Sequence, residues 1–137
     1  MVPIMVLKNM STYTFSIRVD VQRNLMYIDQ HGLPTASDLL NLKRDFIAEV
    51  ANLRPGFSII NDQREMEPFD DEAMEVAKEL VEITNEHGAV RVIRIVPVDL
   101  LSTIRLSSTL VAAKSRYASI RVASLEEAEA AFNALSE

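Results

Sequence analysis

From Tyr13 to Asp20 apolar and polar positions alternate: Tyr13, Phe15, Ile17 and Val19 against Thr14, Ser16, Arg18 and Asp20. A period of two turns one set toward a core and the other toward water, so this stretch predicts a β-strand with one buried face. Val21-Gln-Arg-Asn24 supplies a turn, and Leu25 to Gln30 reads as the second arm of a hairpin. His31 to Pro34 is a connecting loop. The period then changes. Leu39, Leu42, Phe46, Val50 and Leu53 recur at three and four residues, with Ile47 widening the stripe, which predicts an amphipathic helix. Thr35 or Ser37 is its N-cap, and Asp38 lies favourably in the first turn. Arg54-Pro55-Gly56 stops it.

Phe57 to Asp62 is a short buried strand, followed by a polar turn and a helix from about Asp70 to Glu86. Ala73, Val76, Ala77, Leu80 and Val81 form that helix's buried face, and His87-Gly88 closes it. Val90 to Val96 is a further strand broken by Pro97. Asp99 caps a third helix whose apolar residues fall on two stripes, Leu100, Ile104 and Val111 on one and Leu106 and Leu110 on the other. The short strand Ser119 to Val122 leads into Ser124-Leu-Glu-Glu127, a capping-box pattern. Ala128, Ala131, Phe132 and Leu135 then supply the stripe of a last helix. The order ββαβαβαβα predicts an α/β fold: a mixed sheet with an antiparallel N-terminal hairpin and parallel βα units, helices packed on it. Residues 1–11 show no period and read as a leader, an added edge strand or an arm; residues 12–137 read as a single domain.

Composition narrows the class. At 137 residues the chain can bury about two thirds of its unfolded surface in one core. No apolar run approaches the roughly 20 residues needed to span a bilayer, and Pro3 and Lys8 interrupt the apolar start, against a signal peptide. The absence of Cys removes disulfides, thiolate metal sites and thiol nucleophiles, and makes the cytoplasm the expected compartment. A net charge of -6, with Lys and Arg scattered, argues against nucleic acid.

Four stretches carry a resemblance: Phe57-Ser-Ile-Ile-Asn-Asp62, Phe69-Asp-Asp-Glu72, Gly88-Ala-Val-Arg-Val-Ile-Arg-Ile95 and Ser119-Ile-Arg-Val-Ala-Ser-Leu-Glu-Glu-Ala128. In this order they resemble the STAS/SpoIIAA-like superfamily over about residues 12–136, by pattern rather than by a sharp motif. The superfamily includes anti-sigma-factor antagonists, domains of sulfate transporters and small stand-alone proteins. In the antagonists an Asp-Ser pair opens the helix after the third strand and carries the phosphorylated Ser. Laid on this chain, the pair falls on Asp70-Asp71, with a somewhat longer turn before it. The resemblance then implies a permanently charged version of the switch at Asp71, or a protein without it.

The candidate site residues each have a plainer reading. Asp70, Asp71 and Glu72 suit a helix N-terminus, where carboxylates gain about 0.3–1 kcal/mol each; they would also make an acidic docking point for a basic partner. Asn61, Asp62 and Arg64 stand at the sheet's end, as ligand contacts or as a turn in which Asp62 accepts backbone N–H bonds and pairs with Arg64. His31 and His87 have no second ligand at metal spacing, and Ser102, Thr103, Ser107, Ser108 and Thr109 lack a G-x-S-x-G setting. The wide apolar face with Leu100, Ile104, Leu106 and Leu110 is covered either by the leader or by a second copy of the chain. The expectation is a non-catalytic, regulatory protein-interaction module, without cofactor or metal, cytoplasmic and homodimeric, which neither binds nucleic acid nor inserts in membranes. The alternative is a module holding an apolar or anionic small molecule between helices and sheet.

Overall fold

A computed structural model describes residues 12–97 and 117–135. The leader 1–11 and the expected third helix, with Leu100, Ile104, Leu106 and Leu110, lie outside the described residues.

The alternating stretch forms β1 (Thr14–Asp20), and β2 (Leu25–Gly32) returns antiparallel to it with Ile17 opposite Ile28. Asn24 closes the turn at φ 53, a left-handed conformation that Asn tolerates, and its side chain bonds the backbone of Arg54 in both directions. Helix α1 (Ala36–Val50) begins at Thr35, whose hydroxyl accepts from the Asp38 N–H while the Asp38 carboxylate accepts from the Thr35 N–H. That reciprocal pair fixes which of the two expected caps is used. Strand β3 (Ser58–Met66), helix α2 (Asp71–Glu86), β4 (Arg91–Ile95), β5 (Ala118–Val122) and α3 (Leu125–Leu135) complete the order. The sheet runs β1-β2-β3-β4-β5, with every pair after the hairpin parallel.

Period two splits the strands between two cores. Met26 and Ile28 on β2, Ile59 on β3 and Val92 on β4 meet Leu39, Leu42 and Phe46 of α1 and Ala73, Val76 and Val81 of α2. Their neighbours Leu25, Tyr27, Ile60, Ile93 and Ile95 point the other way and meet Ala128 and Phe132 of α3. Central strands covered on both faces therefore read as continuous apolar runs. Removing a side chain such as Phe57 or Ile93 from water contributes about 1.5–3 kcal/mol.

Several expectations change: His31 and Gly32 belong to β2 and not to a loop, and Leu135 of α3 is 47% exposed and not part of a buried stripe. Ile47 does not widen the α1 stripe; it is 42% exposed, because the face directed at the sheet is already filled by Leu39, Leu42, Phe46 and Val50. Strand β3 also runs past Asp62 to Met66, so Gln63-Arg64-Glu65 is strand and not turn. Pairing to β2 continues there, Glu65 opposite His31 and Met66 opposite Gly32, across an irregularity after Asp29. Glu67 to Asp70 connect β3 to α2. Gly32 makes the β2 end possible: at φ +90 a Cβ there would sit 2.3 Å from the Thr12 carbonyl oxygen.

Candidate functional site

On the face covered by α1 and α2, each inner strand turns polar toward its carboxyl end. Met26 and Ile28 give way to Gln30, Ile59 to Asn61 and Gln63, and Val92 to Arg94. The result is a polar layer under apolar helices, at the end of an open α/β sheet where ligands commonly sit. Gln30, Gln63 and Arg94 are buried, Arg94 at 5% exposure. With Leu39, Leu42, Phe46, Leu80 and Val81 they line a cavity of about 110 Å³.

Part of this layer is internally satisfied. The Tyr13 hydroxyl donates to Gln30 Oε1 at 2.6 Å, and Gln30 Nε2 donates to Asn61 Oδ1 at 2.8 Å. Burial, then the charge of Asp38, raises the Tyr13 hydroxyl pKa, so it stays a neutral donor. Arg94 lies opposite Asn61 on β3 and Arg121 on β5, and its Nη2 donates to Ser119 Oγ at 3.1 Å. Among the described residues, Arg94 Nε and Gln63 Oε1 are buried without a hydrogen-bond partner. No carboxylate among these residues pairs with Arg94. Burial pushes its guanidinium down to about 10, Tyr117 opposing that shift and Arg121 adding to it. An uncompensated cation inside a protein costs several kcal/mol in order of magnitude, so its position calls for an anion.

The anticipated residues do not form one cluster. Asn61 faces the cavity, whereas Asp62 and Arg64 point to the opposite side of the sheet, as alternation requires. There Arg64 Nη2 donates to Asp62 Oδ2 at 2.7 Å and its backbone N–H to Oδ1 at 3.2 Å. Partial burial pushes the Asp62 carboxyl up, but the bonds from Arg64 hold it below its ordinary value. These are the contacts of the plainer reading of that pair, made within a strand. His31 sits 3.3 Å from Asp29 on the same rim, half exposed. Asp70 is the N-cap of α2, accepting from the Ala73 N–H at 2.9 Å, while Asp71 and Glu72 are exposed in the first turn. Asp70 thus caps the helix, and Asp71 and Glu72 stand in the first turn, where the helix dipole favours carboxylates.

Two groups escaped the sequence reading. Arg94 was legible as a charge inside the run Val92-Ile-Arg-Ile-Val96, where period two aligns it with two buried valines. The second group needed the fold. Glu129 on α3 accepts from Tyr27 of β2 and from Arg23 Nη2 at 2.7 Å, although these positions lie far apart in the chain. Arg23 also lies over the Phe132 ring, 4.9 Å from its centroid. This network ties α3 to the hairpin.

The architecture is the SpoIIAA-like fold: an antiparallel edge strand on an otherwise parallel sheet, helices on both faces. Among solved structures the chain is similar to an uncharacterized DUF3478-family protein with that fold from Shewanella loihica PV-4. The TM-score is 0.68 at 13% identity, covering 90% of this chain and 96% of that one. It is also similar to an anti-sigma factor antagonist from Mycobacterium paratuberculosis, with TM-score 0.57, 15% identity and 89% and 95% of the two chains covered. Unphosphorylated SpoIIAA, an anti-sigma factor antagonist, gives TM-score 0.57 at 14% identity over 89% of this chain and 98% of its own. No protein-family model and no curated protein matches the sequence. At such identities the likeness establishes the fold. No helix among the described residues is long and apolar enough to cross a membrane.

Proposed function

We propose that this chain is a non-catalytic regulatory module that acts by contact with a protein partner, docking where β3 leads into α2. The observation that carries the reading is the exposed acidic start of α2, Asp71 and Glu72, with Glu67 exposed in the connection before it, on a fold similar to anti-sigma factor antagonists. Asp70 caps the helix, and in the resemblance Asp71 falls at the position of the phosphorylated Ser. A carboxylate there supplies about half the charge of a phosphate group, permanently. The complementary surface on the partner is basic, and rim charges of this kind set association rate and salt dependence more than stability. Self-association through Leu100, Ile104, Leu106 and Leu110 belongs to the same proposal; a strictly monomeric mass by light scattering would count against it.

Affinity capture from the native organism's extract, wild type beside Asp71→Arg/Glu72→Arg, tests the docking face. The expected result is a protein retained by wild type and released by the variant, which stays folded with its melting temperature lowered by only a few degrees. Identical retention by both overturns it. A second reading, a module holding a small ligand between helices and sheet, is favoured by the cavity and its two unpartnered polar atoms.

A further inference from the structure

The cavity between the sheet and the α1–α2 layer combines three features that one ligand chemistry satisfies together. Its walls are apolar, from Leu39, Leu42, Phe46, Leu80 and Val81. Its floor holds a buried guanidinium with an N–H that nothing among the described residues accepts, and a buried carboxamide oxygen that nothing there donates to. Arg94 and Gln63 stand on adjacent strands and on the same face, Gln63 two residues beyond the direct partner of Arg94.

We propose that this cavity binds a small amphiphilic monocarboxylate, its carboxylate on Arg94 and its hydrocarbon body against the walls of α1 and α2. The inference rests on the second, ligand-holding reading and names the ligand class for it. A planar guanidinium edge matches a carboxylate, and the match strengthens in a water-poor setting. The two ends of the Gln63 carboxamide are nearly the same in shape, so it donates to the second carboxylate oxygen or accepts from a hydroxyl on the ligand. A water molecule would satisfy the Nε–H but bring no charge to offset the cation. Inorganic phosphate would bring charge but leave the apolar walls unmatched. Size sets the upper limit: a dry cavity of roughly 150 Å³ is known to hold benzene, so about 110 Å³ accommodates a body of roughly four to six carbons. Long-chain fatty acids exceed it.

The test uses the full chain and calorimetric titration at neutral pH with hexanoate, hexanamide, palmitate and inorganic phosphate. Hexanoate should bind with one site per chain and at least tenfold more tightly than hexanamide or phosphate, and Arg94→Met should erase the preference over hexanamide. Arg94→Lys should retain part of it. Equal binding of hexanoate and hexanamide overturns the carboxylate assignment while the ligand-holding reading survives. Phosphate binding as tightly as hexanoate removes the amphiphile, and palmitate binding more tightly removes the size limit. No binding by any probe overturns both the inference and the reading on which it rests. The hexanoate–hexanamide comparison is made on the wild-type chain, so it decides even if a variant fails to fold.

Discussion

Replacing Arg94 by Met should stabilise the ligand-free protein, although it removes a buried hydrogen bond. Arg94 is 5% exposed and has no carboxylate partner among the described residues, and burial lowers its pKa to about 10. At about 1.36 kcal/mol per pKa unit, that shift corresponds to a cost of roughly 3 kcal/mol for keeping the group charged inside the fold. Against this stands the bond to Ser119 Oγ, worth about 1.5–3 kcal/mol for a charged donor. Methionine of similar length refills most of the space, so the net gain is between zero and about 1.5 kcal/mol, in line with buried ionic groups replaced by apolar ones. For a chain of this size that is a rise of a few degrees in melting temperature, about 3 °C per kcal/mol. The sign of the linkage explains why substitution is the right probe. A cation whose folded pKa is lowered binds fewer protons when folded, so its penalty is complete below about 10 and relieved only as pH rises past that value. At neutral pH the penalty is present in full. Urea unfolding of wild type and Arg94→Met, with slopes compared, measures the difference. A loss exceeding about 1 kcal/mol at unchanged slope would refute the reasoning, because it would mean that the charge is already compensated within the fold.

Asp70→Ala should cost about 1 kcal/mol by removing the cap from the Ala73 N–H, whereas Asp71→Ala should stay within about 0.5 kcal/mol; thermal melts of the two separate capping from surface charge. Gly32→Ala should be more damaging than either, since it adds a positive-φ penalty of about 1 kcal/mol or more to a contact with the Thr12 carbonyl that the edge strand must move to relieve. Hydrogen exchange should then rise in β1 before it rises in β4. For Asp62, partial burial is outweighed by the bonds from Arg64 and the pKa is lowered; for Glu129, it is outweighed by those from Tyr27 and Arg23. Both therefore contribute stability that is present above their unfolded pKa values and lost as pH falls through the lower folded ones. Acid titration of Asp62→Asn/Glu129→Gln should show a shallower loss of stability below about pH 4 than wild type.

The chain's own periodicities determined most of the fold. Tyr13 to Asp20 could bury only one face, and Leu39, Leu42, Phe46 and Val50 could form a stripe only on a helix, because those spacings are local geometry. The caps at Thr35 and Asp70 were legible for the same reason: the bonds they make reach only three residues along the chain. Arg94 was half legible, since alternation within its strand pointed the charge inward but could not say what faced it. Tertiary structure decided the rest. It separated Asn61 from Asp62 by a sheet's thickness, and extended β3 through Gln63-Arg64-Glu65 because β2 offered partners there. It also filled the α1 face before Ile47 could join it, and brought Glu129 to Tyr27 and Arg23. Whether a polar residue caps, pairs or lines a cavity depends on neighbours distant in sequence, and only packing three strands beneath two helices placed Gln63 and Arg94 in one cavity with apolar walls.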